Sequence, residues 1–154
     1  MRNNMANLIR VISMVGCFIL FSCATTQHVR LKSRDAEGYN NRGFAYYQTG
    51  QYEKAISDFT KAIEIDPQFA QAYNNRGWVY VKKCQYDQAL SDFNKSTEID
   101  PGFVEAYFCR AIVYFIAEEY DKSFLNVMKA QQLGYQIPLE FLDDLQKAVG
   151  DIDM

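Results

Sequence analysis

A chain of 154 residues with 49% hydrophobic and 23% charged side chains is long enough for one packed domain and too apolar to stay disordered. Its net charge of -3 excludes the basic face that nucleic acid requires. A single histidine, His28, excludes a His-based triad or a multi-histidine metal site. The four cysteines, Cys17, Cys23, Cys84 and Cys109, have the spacing of neither a zinc nor a redox motif.

The first 23 residues differ in kind from the rest. Arg2 and Arg10 form a positive start, and Val11 to Phe21 form an apolar run of eleven. That run is too short for a bilayer core, which needs about 20 residues, and has the length of a signal-peptide core. Leu20-Phe21-Ser22-Cys23 follows. This resembles the bacterial lipobox, with Phe21 bulkier than usual at its position. The resemblance implies a signal peptide over 1–22, cleavage before Cys23 and lipidation of Cys23. Cys17, after Gly16, is the rival acceptor, but it would leave an apolar core of only six residues. An ordinary cleaved signal or a short uncleaved anchor are the other readings. Several acyl chains together hold a protein firmly on a bilayer, because each buried methylene contributes about 0.8 kcal/mol. Ala24 after the lipidated Cys resembles outer-membrane delivery in enterobacteria-like sorting. Residues 23–35 read as a polar tether, with Arg30, Lys32 and Arg34 beside the expected membrane.

From Ala36 the chain repeats with a step of 34. Ala36–Phe69 and Ala70–Phe103 share nineteen of 34 positions, including Y-N-N-R-G at Tyr39–Gly43 and Tyr73–Gly77. A fixed period of this size signifies a solenoid. Each unit holds two runs with apolar residues at i, i+3 and i+4, the mark of a helix with one buried face. In the first unit these run from about Ala36 to Thr49 and from about Tyr52 to Ile65, separated by Gly50. Asp66-Pro67 closes the unit, Asp suiting an N-cap and Pro the first helical position. Gly43 and Gly77 lie inside helices, where glycine costs about 1 kcal/mol against alanine, and this predicts close helix approach there. Arg42, Arg76 and Arg110 recur, as do Asp58 and Asp92 with Asn126 third, which predicts Arg–Asp pairs within the stack. Cys84 and Cys109 fall nine residues out of step on parallel helices, about 13 Å of rise, so no disulfide is expected.

The pattern of large and small residues resembles the tetratricopeptide repeat (TPR). Tyr39, Gly43, Tyr46, Ala55, Phe59, Ala62 and Pro67 fall on it in the first unit. Tyr73, Gly77, Tyr80, Ala89, Phe93 and Pro101 do so in the second, with Ser96 as the small residue. The third keeps Tyr107, Ala111, Tyr114 and Ala130, with Ser123 for Ala, Val127 for Phe and Tyr135 for Pro. The expected fold is all-α: an α-solenoid of three helix-turn-helix repeats (36–69, 70–103, 104–137) forming a TPR domain over 36–135. After Gly134, Pro138 starts a last helix whose Leu139, Leu142 and Leu145 form an apolar stripe. Residues 138–149 are therefore expected to cap the open apolar end, and 150–154 to form a tail.

The resemblance also implies that the first helices of the repeats line a concave surface. Carried over, the facing residues are Glu37, Asn40, Asn41, Phe44, Tyr47 and Gln48, then Gln71, Asn74, Asn75, Trp78, Val81 and Lys82, then Glu105, Phe108, Cys109, Ile112, Phe115 and Ile116. Of these, Asn40, Asn41, Phe44, Tyr47, Asn74, Asn75, Trp78, Lys82, Phe108 and Ile112 are the candidate partner-binding residues. Asparagine reads peptide backbone as donor and acceptor, and Trp and Phe give anchoring area. The competing reading packs Trp78, Ile112, Phe115 and Ile116 between repeats and leaves the amides in solvent. Chaperone-binding TPR domains clamp a terminal carboxylate with lysines, an arginine and asparagines. Only Asn75 matches that set here, and Glu105 has the wrong charge, so chaperone-tail binding is rejected. No phosphate loop, nucleophile elbow or metal cluster is present in the sequence, so no enzyme and no cofactor are expected.

The expected function is a non-enzymatic protein-interaction adaptor or scaffold at the bacterial cell envelope. It would hold a protein or peptide in its concave groove and be anchored by lipid at the periplasmic face of the outer membrane, with neither nucleic acid nor a small-molecule substrate. The alternatives are an oligomerisation module packing through its apolar end, and an accessory subunit of an envelope assembly, secretion or pilus complex.

Overall fold

The computed structural model describes residues 34–150. The expectations for the signal segment, Cys23 and most of the tether lie outside these residues. Seven α-helices follow in order: α1 (34–48), α2 (Tyr52–Ile65), α3 (Ala70–Lys82), α4 (Tyr86–Ile99), α5 (Val104–Ile116), α6 (Tyr120–Gln132) and α7 (Leu139–Gly150). The first six form three hairpins, each helix packing on its sequence neighbours, and α7 closes the end against α6.

The hairpin turns share one device. The first helix of each pair ends in a left-handed residue: Gly50 at φ 72°, Cys84 at φ 57° and Glu118 at φ 58°. The next amide then reaches back to an orphan carbonyl. Gln51 donates to Tyr46, Gln85 to Tyr80 and Glu119 to Tyr114, each at 2.9 Å. This is the Schellman closure that satisfies a helix C-terminus. The junction between repeats differs from the sequence expectation. Asp66 does not cap α3, whose preceding residue is Phe69. Its carboxylate instead accepts from the Gln68 amide at 3.0 Å, and Asp100 does the same for Gly102 at 2.9 Å. The side chain holds a turn that Pro67 and Pro101 keep from continuing the helix.

The core consists of three layers: two mix successive repeats, and the last joins the third repeat to α7. Ala55 and Phe59 of α2 meet Val79 of α3. Ala89 and Phe93 of α4 meet Cys109 and Val113 of α5. Tyr107 and Ala111 of α5, Val127 and Ala130 of α6, Ile137 of the α6–α7 connection and Leu145 of α7 form the last. The glycines sit where sequence arithmetic expects close approach. A Cβ on Gly43 would stand 2.9 Å from the Phe59 ring, and one on Gly77 only 2.6 Å from Phe93 Cε1. In the third repeat Val127 replaces the phenyl ring, and Ala111 is accommodated with no exposure. One step further, Leu145 stands in register with Gly43, Gly77 and Ala111, and it is 2% exposed. α7 thus keeps the register of a first-type helix, and its leucine packs back on the layer of α5 and α6. That is how the array ends.

Candidate functional site

The first-type helices α1, α3 and α5 present the candidate groove. Its amides are arranged differently from the expectation of a row of exposed asparagines. Asn40 and Asn74 are buried, at 3% and 6% exposure. Asn75 donates its Nδ2 hydrogen to Asn40 Oδ1 at 3.0 Å, joining α1 to α3. One period on, Asn74 stands in the place of Asn40 and Cys109 in the place of Asn75. Cysteine is a weak donor, and Asn74 Oδ1 is buried without a hydrogen-bond partner. Both described cysteines are free: Cys84 is exposed, while Cys109 is buried and burial pushes its thiol up. Cys109 is therefore an inert core residue.

The aromatic end of the groove is covered by the chain itself. Phe108 packs on Tyr135 at 5.1 Å and edge-on to Phe141 at 5.4 Å between ring centroids. Phe115 lies 5.3 Å from Phe141 and 5.6 Å from Tyr120. The capping helix covers the apolar end as expected, and in doing so takes Phe108, a candidate partner-binding residue, against the core layer of the third repeat. Trp78 meets Phe93 edge-on at 6.2 Å and is half-buried beside Cys109 and Val113. Packing between repeats therefore takes much of its surface, and Ile112 is likewise only partly exposed.

What remains open is the N-terminal half. Asn41, Phe44 and Lys82 are exposed, and Tyr47 is half-buried between the rings of Phe44 and Tyr52. A cleft of about 180 Å³ between α1 and the start of α3 is lined by Glu37, Asn40, Asn41, Asp66, Phe69 and Gln71. Its two ionisable side chains are both carboxylates, so it is polar and anionic. The arrangement suits donors: amide N–H groups or a cationic side chain. Among the described residues no group of three or more His, Cys, Asp or Glu is placed to hold a metal ion.

The recurrent arginines lie on another face. Arg42 binds Asp58 through Nε and Nη2 at 2.5 and 2.8 Å, and Arg76 binds Asp92 the same way at 2.8 Å twice. Each guanidinium also stacks near a tyrosine, Tyr39 at 5.0 Å and Tyr73 at 5.7 Å. Asp58 hydrogen-bonding raises the Arg42 pKa. For Arg76, burial opposes the charge, and the bonds and field of Asp92 outweigh it. Arg110 has no carboxylate: it donates to Asn126 Oδ1 at 2.6 Å, Asn94 Oδ1 at 2.7 Å and Thr97 Oγ1 at 3.5 Å, and burial lowers its pKa.

Residues 36–69 and 70–103 match the tetratricopeptide repeat family, so these two hairpins are tetratricopeptide repeats, and the third continues their solenoid. No curated protein is detectably similar in sequence. Among solved structures, the Arabidopsis OM64 TPR domain is 26% identical, with a TM-score of 0.71 over 75% of this chain and 98% of that one. The first TPR of Spaghetti (RPAP3) bound to the HSP90 peptide SRMEEVD is 22% identical, with a TM-score of 0.72 over 79% and 96%. The TPR2B domain of yeast Sti1 in its pHsp70 complex is 24% identical, with a TM-score of 0.69 over 77% and 98%. These likenesses establish a TPR fold.

Proposed function

We propose that this protein is a non-enzymatic adaptor that holds a peptide segment of a partner protein in the N-terminal half of its concave face, working at the bacterial cell envelope from a lipid anchor on Cys23. The observation that carries the reading is the open cleft between α1 and α3, continuous in sequence register with exposed Asn41 and Phe44, while α7 fills the other half. Glu37 and Asp66 favour a neutral or basic segment. An acidic peptide such as the one bound by the first TPR of RPAP3 would meet like charge there. The envelope reading rests on the positive, apolar and Leu-Phe-Ser-Cys pattern of residues 2–23.

Co-purification of the tagged full chain from detergent-solubilised membranes tests the groove. Phe44→Ala with Asn41→Ala is expected to lower recovery of a specific partner about tenfold, a loss of hot-spot size, with helicity unchanged. Equal recovery by the variant removes the groove from the function. Cys23→Ala is expected to release the chain from membranes and abolish acyl labelling. Retention with labelling at another cysteine defeats the anchor.

A further inference from the structure

We propose that the outer face of α6 and α7 is a self-complementary interface that docks a second copy of this chain about a two-fold axis. The face is the most apolar surface of the described residues. Phe124, Leu125 and Met128 of α6 are 50%, 67% and 50% exposed, and Leu139 of α7 is 77% exposed. Between the helices runs a cleft of about 700 Å³, walled by Phe124, Leu125, Leu142, Leu145 and Val149. Single exposed apolar residues need no explanation, but a contiguous patch marks an interaction surface.

The repeat supplies its own control. One and two periods before Leu125 stand Ser91 and Ser57, both exposed; before Met128 stand Asn94 and Thr60, which accept from Arg110 and Arg76 of the following repeat. Stacking another repeat therefore needs polar residues at these positions and leaves the serine position in water. Only the last repeat makes them apolar. A continuing solenoid is disfavoured for a second reason: a leucine, Leu145, stands in the register position where Gly43 and Gly77 admit a phenyl ring. What covers the face is not a fourth hairpin.

The charges select the occupant. Lys129 lies four residues after Leu125 and flanks it on α6, while Lys122 is engaged by Glu119 and Asp121 lines the cleft. Glu140 and Asp143, three residues apart, make the N-terminal half of the matching edge of α7 acidic, with Lys147 four residues further along it. A two-fold axis running along the cleft lays α6 of one copy on α7 of the other. It sets Lys129, at the C-terminal end of α6, against Glu140 and Asp143, at the N-terminal end of α7 of the second copy, twice. The other two-fold, α6 upon α6, brings lysines together. A face that carries Lys129 on one side and Glu140 and Asp143 on the other complements itself in the isologous way a C2 dimer requires.

Sedimentation of the detergent-solubilised full chain from low to high micromolar concentration tests this, with the detergent mass subtracted. A monomer–dimer equilibrium is expected. Leu125→Ser with Met128→Thr installs the residues the first repeat itself carries at these positions, so folding is retained, and the dimer is expected to weaken at least about tenfold. Lys129→Asp is expected to weaken it as well, and adding Asp143→Lys to restore it. Phe44→Ala is expected to leave it unchanged, which separates this interface from the concave groove. A strict monomer overturns the proposal, as does a Leu125→Ser, Met128→Thr variant that dimerises like the parent.

Discussion

Gly38 and Gly77 show how one residue type carries opposite signs in the same fold. Both lie within helices, where alanine is favoured by about 1 kcal/mol. Around Gly38 nothing lies within 4 Å of the place a Cβ would take, whereas at Gly77 the Phe93 ring stands 2.6 Å away. Gly38→Ala is therefore expected to raise stability by about 0.5–1 kcal/mol. Gly77→Ala is expected to lower it by about 1–3 kcal/mol, because overpacking against a fully buried ring outweighs propensity. Urea midpoints of the two variants check both signs. The arginines permit a second test. Asn126 gives Arg110 one oxygen where Asp58 and Asp92 give two and a charge. Asn126→Asp is expected to stabilise by about 1 kcal/mol at neutral pH, less than a fully buried pair because Arg110 is partly exposed and the new carboxylate loses the bond to the Lys122 carbonyl. Arginine lowers the folded-state pKa of the introduced carboxylate. The gain is thus present above the unfolded value of about 4 and is lost as pH falls through the lower folded value. A stability difference between variant and parent that does not shrink in acid would contradict the pairing.

At the scale of the element, the hairpin turn is the unit that the period copies faithfully. Gly50, Cys84 and Glu118 share one register and one left-handed conformation. A side chain there costs about 1 kcal/mol that glycine avoids, against some loss from glycine's freer unfolded state. Cys84→Gly and Glu118→Gly are each expected to gain about 0.5 kcal/mol, and thermal midpoints of the single and double variants should rise additively. The turn was legible only where glycine marked it. At Cys84 and Glu118 the residue type conceals the conformation, and the 34-residue step is what reveals it. Asp66 shows the reverse limit. Asp before Pro suits a helix cap and an Asx turn equally, and the choice depends on where α3 begins. The Arg–Asp pairs and the ring-on-glycine contacts were legible because both partners sit within one period, sixteen residues apart.

For the whole molecule, what the sequence concealed lies between repeats and at the end. Asn40 and Asn75 are 35 residues apart, so their bond needs two hairpins at the right rotation, and neither residue type declares which asparagine turns inward. Phe108 and Phe115 read as open groove because their cover, Phe141, comes from outside the repeating pattern. The same architecture fixes how the protein should come apart. Two core layers join one repeat to the next and the last joins the third repeat to α7, so stability is a sum over neighbours and the terminal layer governs the end of the array. Leu145 is the buried residue of α7 and belongs to the layer that holds α5 and α6. Leu145→Ala is expected to cost about 2–4 kcal/mol, the range for a buried leucine that cannot be refilled. The loss should not be shared evenly. Amides of α5 and α6 should exchange faster by the full amount, while those of α2 and α3, two layers away, keep most of their protection until the array unfolds as a whole. Hydrogen exchange resolved by helix measures this directly. Uniform loss of protection from α2 to α6 would mean that the three layers fold as one unit, and that the cap acts on the entire solenoid rather than on its last repeat.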